Sequence, residues 1–334
     1  MTGPDRNGLP GVLVAGLTAL ISGLSVFVNS YGVHSLPDPA VYTTAKNLVA
    51  SIVLGGCALG AWWGRSRWPE SVSTRFVSVT HQARSGHPDP PASGAATVWR
   101  LIGMAYVGIV GGGIAFVLFF DGLADTTAAP AAFWRDTLVV WVALLAVPIL
   151  RERLAWWNVA AIVFLVAGEV VLARGVGHLA PSRGELLVLC SSALWGVEVV
   201  VAKVLLRDVA PAAMGVIRMG IGSVTLVVYL AGSGALHALT ALDVRQSGWV
   251  LLTGLLLAAY VGTWMTALAR ARAVDVTSVL VGSALVTALL QAVAGTAVVS
   301  PPVLGLVLVG VGCGLVLWMG LRRTDLRSVV PVVE

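Results

Sequence analysis

PAVYTTAK, Pro39 to Lys46, and PAAMGVIR, Pro211 to Arg218, place a proline seven residues ahead of a basic residue, once in each half of the chain. Proline is tolerated in the first turn of a helix and disrupts its interior, so both stretches read as helix starts with Lys46 and Arg218 a turn or two inside. The segments upstream also match. ALISGLSVFVNSYGV, from Ala19, and SALWGVEVVVAKVLL, from Ser192, bring Gly23 opposite Gly196. Two copies of one pattern imply a duplicated unit.

Working outward, apolar runs recur near 9–30, 41–63, 98–120, 127–149, 154–173, 185–206, 211–233, 248–269, 273–298 and 303–320. Each is long enough to cross about 30 Å of hydrocarbon. The composition agrees: 57% of residues are hydrophobic and only 11% charged, against roughly 25% charged in a soluble domain. Strands of a membrane barrel would alternate apolar and polar positions; these runs are continuous Leu, Val, Ala and Gly. The expected fold is an all-α integral membrane protein of ten transmembrane helices in two five-helix repeats. Because five is odd, the second repeat would enter the membrane inverted relative to the first. The first repeat is expected over 9–173, with a cytoplasmic linker at 64–97 rich in Ser, Pro, Arg and His; its composition suits disorder, although Ser73 to Val79 suits a membrane surface. The second is expected over 185–320, followed by a cytoplasmic tail at 321–334. The first apolar run, Leu9 to Ser30, is too long for a typical cleavable signal and reads as a retained helix.

Orientation follows from the loops. Arg65, Arg67, Arg75, Arg84, Arg100, Arg151, Arg153, Arg207, Arg270, Arg272, Arg322, Arg323 and Arg327 all fall on one side of a ten-span chain, whereas the opposite loops carry Arg174, Arg183 and Arg245 beside Asp38, Asp121, Asp125 and Asp243. Basic loops stay in the cytoplasm. The expected placement is a multi-pass protein of the cell membrane with both termini cytoplasmic.

Several functional classes are excluded or disfavoured. The net charge of +5 is spread over short loops and forms no basic face for nucleic acid. Cys57, Cys190 and Cys313 lie in separate apolar runs without CxxC spacing; buried packing is expected for all three, not metal or disulfide. His34, His81, His87, His178 and His237 all lie in loops, and no HExxH, GxSxG or phosphate-binding GxxxxGK[ST] motif occurs. Neither an enzyme nor a nucleotide-driven pump is expected, and no cofactor.

A charge near the bilayer centre costs at least about 2.5–3.5 kcal/mol on insertion scales, so charges within spans are candidate site residues. The basic ones are Lys46, Arg135, Lys203 and Arg218, and the acidic ones Asp136, Glu169 and Glu198. Glu198 lies near the middle of its helix without a local partner; it reads either as a proton-binding site residue or as half of an ion pair with Arg135, Lys203 or Arg218. Arg135 and Asp136 are adjacent, point about 100° apart on a helix, and are expected to seek partners elsewhere. Lys46 and Arg218 read either as snorkelling or paired residues or as pathway lining, Lys203 as an interface residue, and Glu169 as wet. Trp134, Trp141, Trp195 and Trp264 fall inside spans, where they pack or line a cavity; Trp62, Trp63, Trp99, Trp156, Trp157, Trp249 and Trp318 read as interfacial belts. Asn29 and Gln291 are candidate hydrogen-bonding groups, and Gly111-Gly112-Gly113 and Gly310, Gly312 and Gly314 suit close helix contact.

AAPAAFWRDTLVVWVALLAVPILRERLAWWNVAAIVFLVAGEVVLA, residues 128–173, resembles the fourth and fifth helices of the EamA family in the drug/metabolite transporter superfamily. Leu150-Arg151-Glu152-Arg153-Leu154 takes the place of that family's Gly-Glu-Arg-like turn, with Arg151 where glycine is usual, and Ala167-Gly168 the place of its late Ala-Gly. In the second half Ser300-Pro301-Pro302 replaces the expected glutamate turn. Glu152 is expected to cap helices. The resemblance implies a secondary transporter that moves a small metabolite, such as an amino acid, an aromatic or amphipathic compound or a drug, by alternating access, with export the family's direction and protons a candidate coupling ion. A flippase for an amphipathic lipid and a channel are the alternatives. The substrate-binding or coupling residues expected are Glu198, Asp136, Arg135, Lys46, Arg218, Trp195 and Asn29.

Overall fold

The computed structural model describes residues 11–36, 38–67, 94–126, 128–152, 156–172, 181–295 and 303–329, and among these residues every long element is helical. The linker residues 68–93, with Ser73 to Val79, lie outside the described residues, as do the side chains of Glu169, Trp157 and residues 320 onward.

The first half comprises α1 (Gly11–Gly32), α2 (Pro39–Arg67), α3 (Gly94–Tyr106), α4 (Ala115–Ala124), α5 (Ala128–Asp136), α6 (Leu138–Leu145) and α7 (Trp156–Leu172). A π-helical stretch, Val107–Ile114, joins α3 to α4, and Thr137 alone separates α5 from α6. In the second half are α8 (Arg183–Leu205), α9 (Pro211–Gly232), α10 (Val244–Arg270), α11 (Ala273–Val281), α12 (Ser283–Val293) and α13 (Val303–Val329). Among the described residues eight helical rods are long and apolar enough to cross a membrane, and two shorter apolar helices lie at Asn158–Gly168 and Val303–Met319. Each expected apolar run falls on one of these rods. Pro39 and Pro211 each open a helix, where a missing N–H costs nothing.

Neighbours exchange between the halves. α1 packs on α10, and α8 packs on α4 and the π stretch; α2 packs on α10, and α9 on the π stretch; α1 touches α11 and α12, and α8 touches α5 and α6. α2 meets α9, and α7 meets α13. The aligned glycines take part in this exchange. A Cβ on Gly23 would strike Val286 and the Ser283 carbonyl of α12, and one on Gly196 would strike Trp141 of α6. The interior is Ala, Val and Leu with Met214, Met219 and Met265, whereas the outer surface bears apolar side chains such as Leu20, Ile52, Val224 and Leu304, as a lipid-facing surface requires.

Two expectations are corrected by the structure. Cys57 and Cys190 are exposed on the outer surface of the bundle and only Cys313 is buried; apolar neighbours in sequence do not distinguish core from lipid-facing positions. The runs at 127–149 and 273–298 are not single helices. Each contains a break after a helix of 9 residues, at Thr137 and Gly282 respectively. Lys203, expected at the interface near the end of its helix, donates from its ammonium to the carbonyls of Leu268 and Ala271, both at 2.6 Å, and so caps the C-terminus of α10.

Glu152 completes the clamp on the next residues. Its carboxylate accepts from the N–H groups of Ala273 (2.9 Å) and Val274 (3.3 Å), capping α11 as expected. Arg272 donates to Asp275 at 2.6 and 2.7 Å, and Asn158 of α7 donates to the same carboxylate at 3.1 Å. The turn that presents Glu152 runs through Arg151 at φ 54°, a left-handed conformation that costs a non-glycine residue about 1–2 kcal/mol.

Three substitutions test this packing. Arg151→Gly raises stability by about 1 kcal/mol, read as a higher melting temperature in detergent. Gly112→Ala, whose new methyl would run into the backbone carbonyl of Arg218, lowers stability by about 1–3 kcal/mol. Gly56→Ala, which meets nothing within 4 Å, does not lower it.

Candidate functional site

A cavity of about 110 Å³ lies at the centre of the bundle, and Asn29, Lys46, Arg135, Asp136, Trp195, Glu198 and Arg218 all stand on its wall. Lys46 and Arg218 are 2% and 4% exposed, which rules out snorkelling to the surface. α2 passes between α9 and α10, so the eighth residue of α2 is already enclosed by protein.

The second-half pair is the tightest. Arg218 of α9 donates through Nε to Glu198 Oε1 at 2.5 Å and through Nη2 to Oε2 at 3.0 Å. Of the partners open to Glu198 in the sequence, it takes Arg218, through two donors in the fork geometry that suits a carboxylate. The π-helical stretch explains how a third group joins. Its register leaves the Gly111 carbonyl available to Trp195 Nε1 at 3.0 Å and to Arg218 Nη2 at 3.3 Å. Gly111 also makes room for the acid, since a Cβ there would run into the carboxylate of Glu198.

The first-half counterpart is neutral on one side. Lys46 Nζ donates to Asn29 Oδ1 at 2.9 Å, and the same oxygen accepts from the Tyr42 hydroxyl at 2.7 Å. The ammonium sits 3.7 Å from the centroid of the Phe120 ring, within cation–π range. In each half, then, the basic residue of the second long helix bonds to a polar residue of the first.

Arg135 and Asp136 correct the expectation that they seek separate partners. Arg135 donates through Nε and Nη2 to Asp136 Oδ1 at 2.9 and 2.6 Å. The helix stops at Asp136, and a long guanidinium stem curls back where a continuous helix would hold the two apart. Arg135 also reaches Ser283 Oγ at 2.6 Å and Ser22 Oγ at 3.4 Å, tying the Thr137 break to α12 and α1. Carbonyls freed near that break are satisfied by the Ser192 hydroxyl, which donates to Trp134 and Arg135. Thr287 of α12 donates likewise to the Gly23 carbonyl of α1.

Sequence reasoning did not mark Phe116, Phe119, Phe120 and Tyr260, which make up most of the aromatic wall together with Trp195 and Trp264. Phe116 and Phe119 pack on Trp195 with ring centroids 5.4 Å apart, and Tyr260 stacks on Trp264 at 6.1 Å. Their signal was the spacing of Phe116, Phe119 and Phe120, which places three rings on one helical face. Trp134 packs against the core and Trp141 covers Gly196, and neither is on the cavity wall. Among the described residues no cluster of metal-ligating side chains occurs.

Comparison with known proteins gives the fold and the family. No curated protein matches this chain. Among solved structures 27 chains match; one, a crystal structure titled only as that of a protein, is 19% identical, covers 92% of this chain and 98% of its own, and superposes with a TM-score of 0.64, which establishes a shared fold. The family model described as the EamA-like transporter family matches twice, over residues 9–174 and 182–318, the two halves delimited above. The chain is therefore a multi-pass membrane protein that belongs to the EamA-like transporter family of the drug/metabolite transporter superfamily.

Proposed function

We propose that this protein is a secondary transporter that exports a small solute across the cell membrane by alternating access, with the central cavity as its solute site. The observation that carries the reading is the convergence of both repeats on one polar, aromatic-walled cavity. Ser22, Lys46 and Asp136 come from the first repeat and Glu198, Arg218 and Trp264 from the second. Carriers built from inverted repeats place their sites at that junction, beside broken helices. The breaks at Thr137 and Gly282, each preceded by a helix of 9 residues, are such places.

The inverted ten-span arrangement belongs to the same reading. It is supported by the exchange of neighbours between the halves and by the surface ion pairs. Arg100 pairs with Asp208 at 2.7 Å, and Arg183 with Asp125 at 3.1 Å. Each pair joins loops that the ten-span arrangement assigns to one and the same membrane face. Both termini are then cytoplasmic, and export is carried over from the family resemblance.

Proton coupling is assigned to Glu198. Glu198→Gln retains an oxygen for Arg218 but cannot exchange a proton, so in proteoliposomes pH-driven flux is lost, while the uncompensated Arg218 charge lowers the melting temperature without preventing membrane insertion. Full pH-driven flux in that variant contradicts the assignment. The transporter reading is tested with wild-type protein in liposomes and a panel of amino acids, aromatic acids and amines, and cationic drugs. Saturable flux of a soluble compound is expected. Scrambling of labelled lipid without such flux overturns it.

A further inference from the structure

We infer that the solute carries an anionic group of the carboxylate kind and that Lys46 receives it; the inference rests on the reading of the central cavity as the solute site. Three cations and two carboxylates stand on the cavity wall. Both carboxylates are committed. Arg218 binds both oxygens of Glu198, and Arg135 binds Asp136 twice through Oδ1. Lys46 is left over. Its one hydrogen bond goes to Asn29 Oδ1, an oxygen already shared with Tyr42, and among the described residues no carboxylate comes within ion-pair distance of it.

The rest of the Lys46 environment cannot supply the missing charge. Nζ lies 3.7 Å from the Phe120 centroid, 5.3 Å from that of Tyr42 and 5.9 Å from that of Phe116. Ring faces attract a cation but carry no net charge. An ammonium has three donors, and here two are unused beside open volume. Asp136 Oδ2 is buried without a hydrogen bond, but the charge of that carboxylate is matched by Arg135, so the atom offers a solute an acceptor and not an uncompensated anion. An anion at Lys46 makes the loaded cavity electroneutral. A neutral solute leaves the surplus positive charge in place and a cation adds to it, both unfavourable this deep in a membrane protein. The adjoining rings of Phe116, Phe119, Phe120 and Trp195 then hold the apolar body of the same solute.

Three probes of one shape separate charge from fit: benzoate, benzamide and benzylamine, titrated by calorimetry into the full-length protein in detergent, with thermal melting as a second reading. Benzoate is expected to bind at least about tenfold tighter than benzamide, as a charge-assisted hydrogen bond provides, and benzylamine more weakly than either. Lys46→Met brings benzoate to the affinity of benzamide; Lys46→Arg keeps the preference. Benzamide or benzylamine binding as tightly as benzoate to the wild type overturns the anion assignment and leaves the cavity as the solute site. So does an undiminished benzoate preference in Lys46→Met. Silence of all three probes overturns the assignment together with the solute-site reading beneath it. The wild-type series decides the matter even where Lys46→Met does not fold.

Discussion

Arg218 and Glu198 meet with only 4% and 2% of their surfaces exposed, so the two charges must largely satisfy each other, and the surrounding helices are arranged to let them. The glycines on the facing π-helical stretch serve that end. Gly111 gives the carboxylate its space and offers Arg218 and Trp195 a carbonyl, while Gly112 lies against the backbone of Gly222 so that α9 approaches closely enough for the guanidinium to reach. A side chain at Gly112 would push α9 away from the π stretch, and one at Gly111 would strike the Glu198 carboxylate itself, so either would disturb the pair. The pair thus fixes the distance between the two long helices that carry it and between them and the first repeat.

The other polar devices of the interior follow the same rule with different chemistry. Arg135 satisfies Asp136 and then spends its remaining donors on Ser22 and Ser283, holding the two helix breaks side by side. Lys203 and Glu152 grip the turn between α10 and α11 from its carbonyl side and its N–H side. Among the described residues the pattern stops short at Lys46, with an amide oxygen and aromatic faces where the equivalent site in the second half has a carboxylate. Duplication gave the bundle two similar sites, and divergence left one electrically closed and the other open.

The sequence disclosed the rods, the duplication and the helix starts at Pro39 and Pro211 because hydrophobic length and proline act locally. A charge inside an apolar run is likewise conspicuous whatever its partner, and Lys46, Arg135, Asp136, Glu198 and Arg218 all stand on the wall of the cavity proposed as the solute site, beside the uncharged Asn29 and Trp195. The partners were less legible. Glu198 had several possible cations, and the choice of Arg218 depends on how α8 and α9 pack. The self-pairing of Arg135 and Asp136 depends on a break at Thr137 that the run LVVWVALL beside it does not announce. Cys57 and Cys190 were misplaced because core and lipid-facing surfaces are both apolar. The aromatic wall from Phe116 to Phe120 was readable in principle from its spacing, and was overshadowed by the charges.

The account stands on the claim that this cavity opens to each side of the membrane in turn. The most direct measurement places a single cysteine at Ser22, on the cavity wall, in a chain whose three native cysteines have been replaced. A membrane-impermeant thiol reagent is then applied from inside or from outside vesicles, with and without a transported solute. The account predicts modification from both sides, slowed by the solute in each case. Modification from one side only, or from neither, would contradict it.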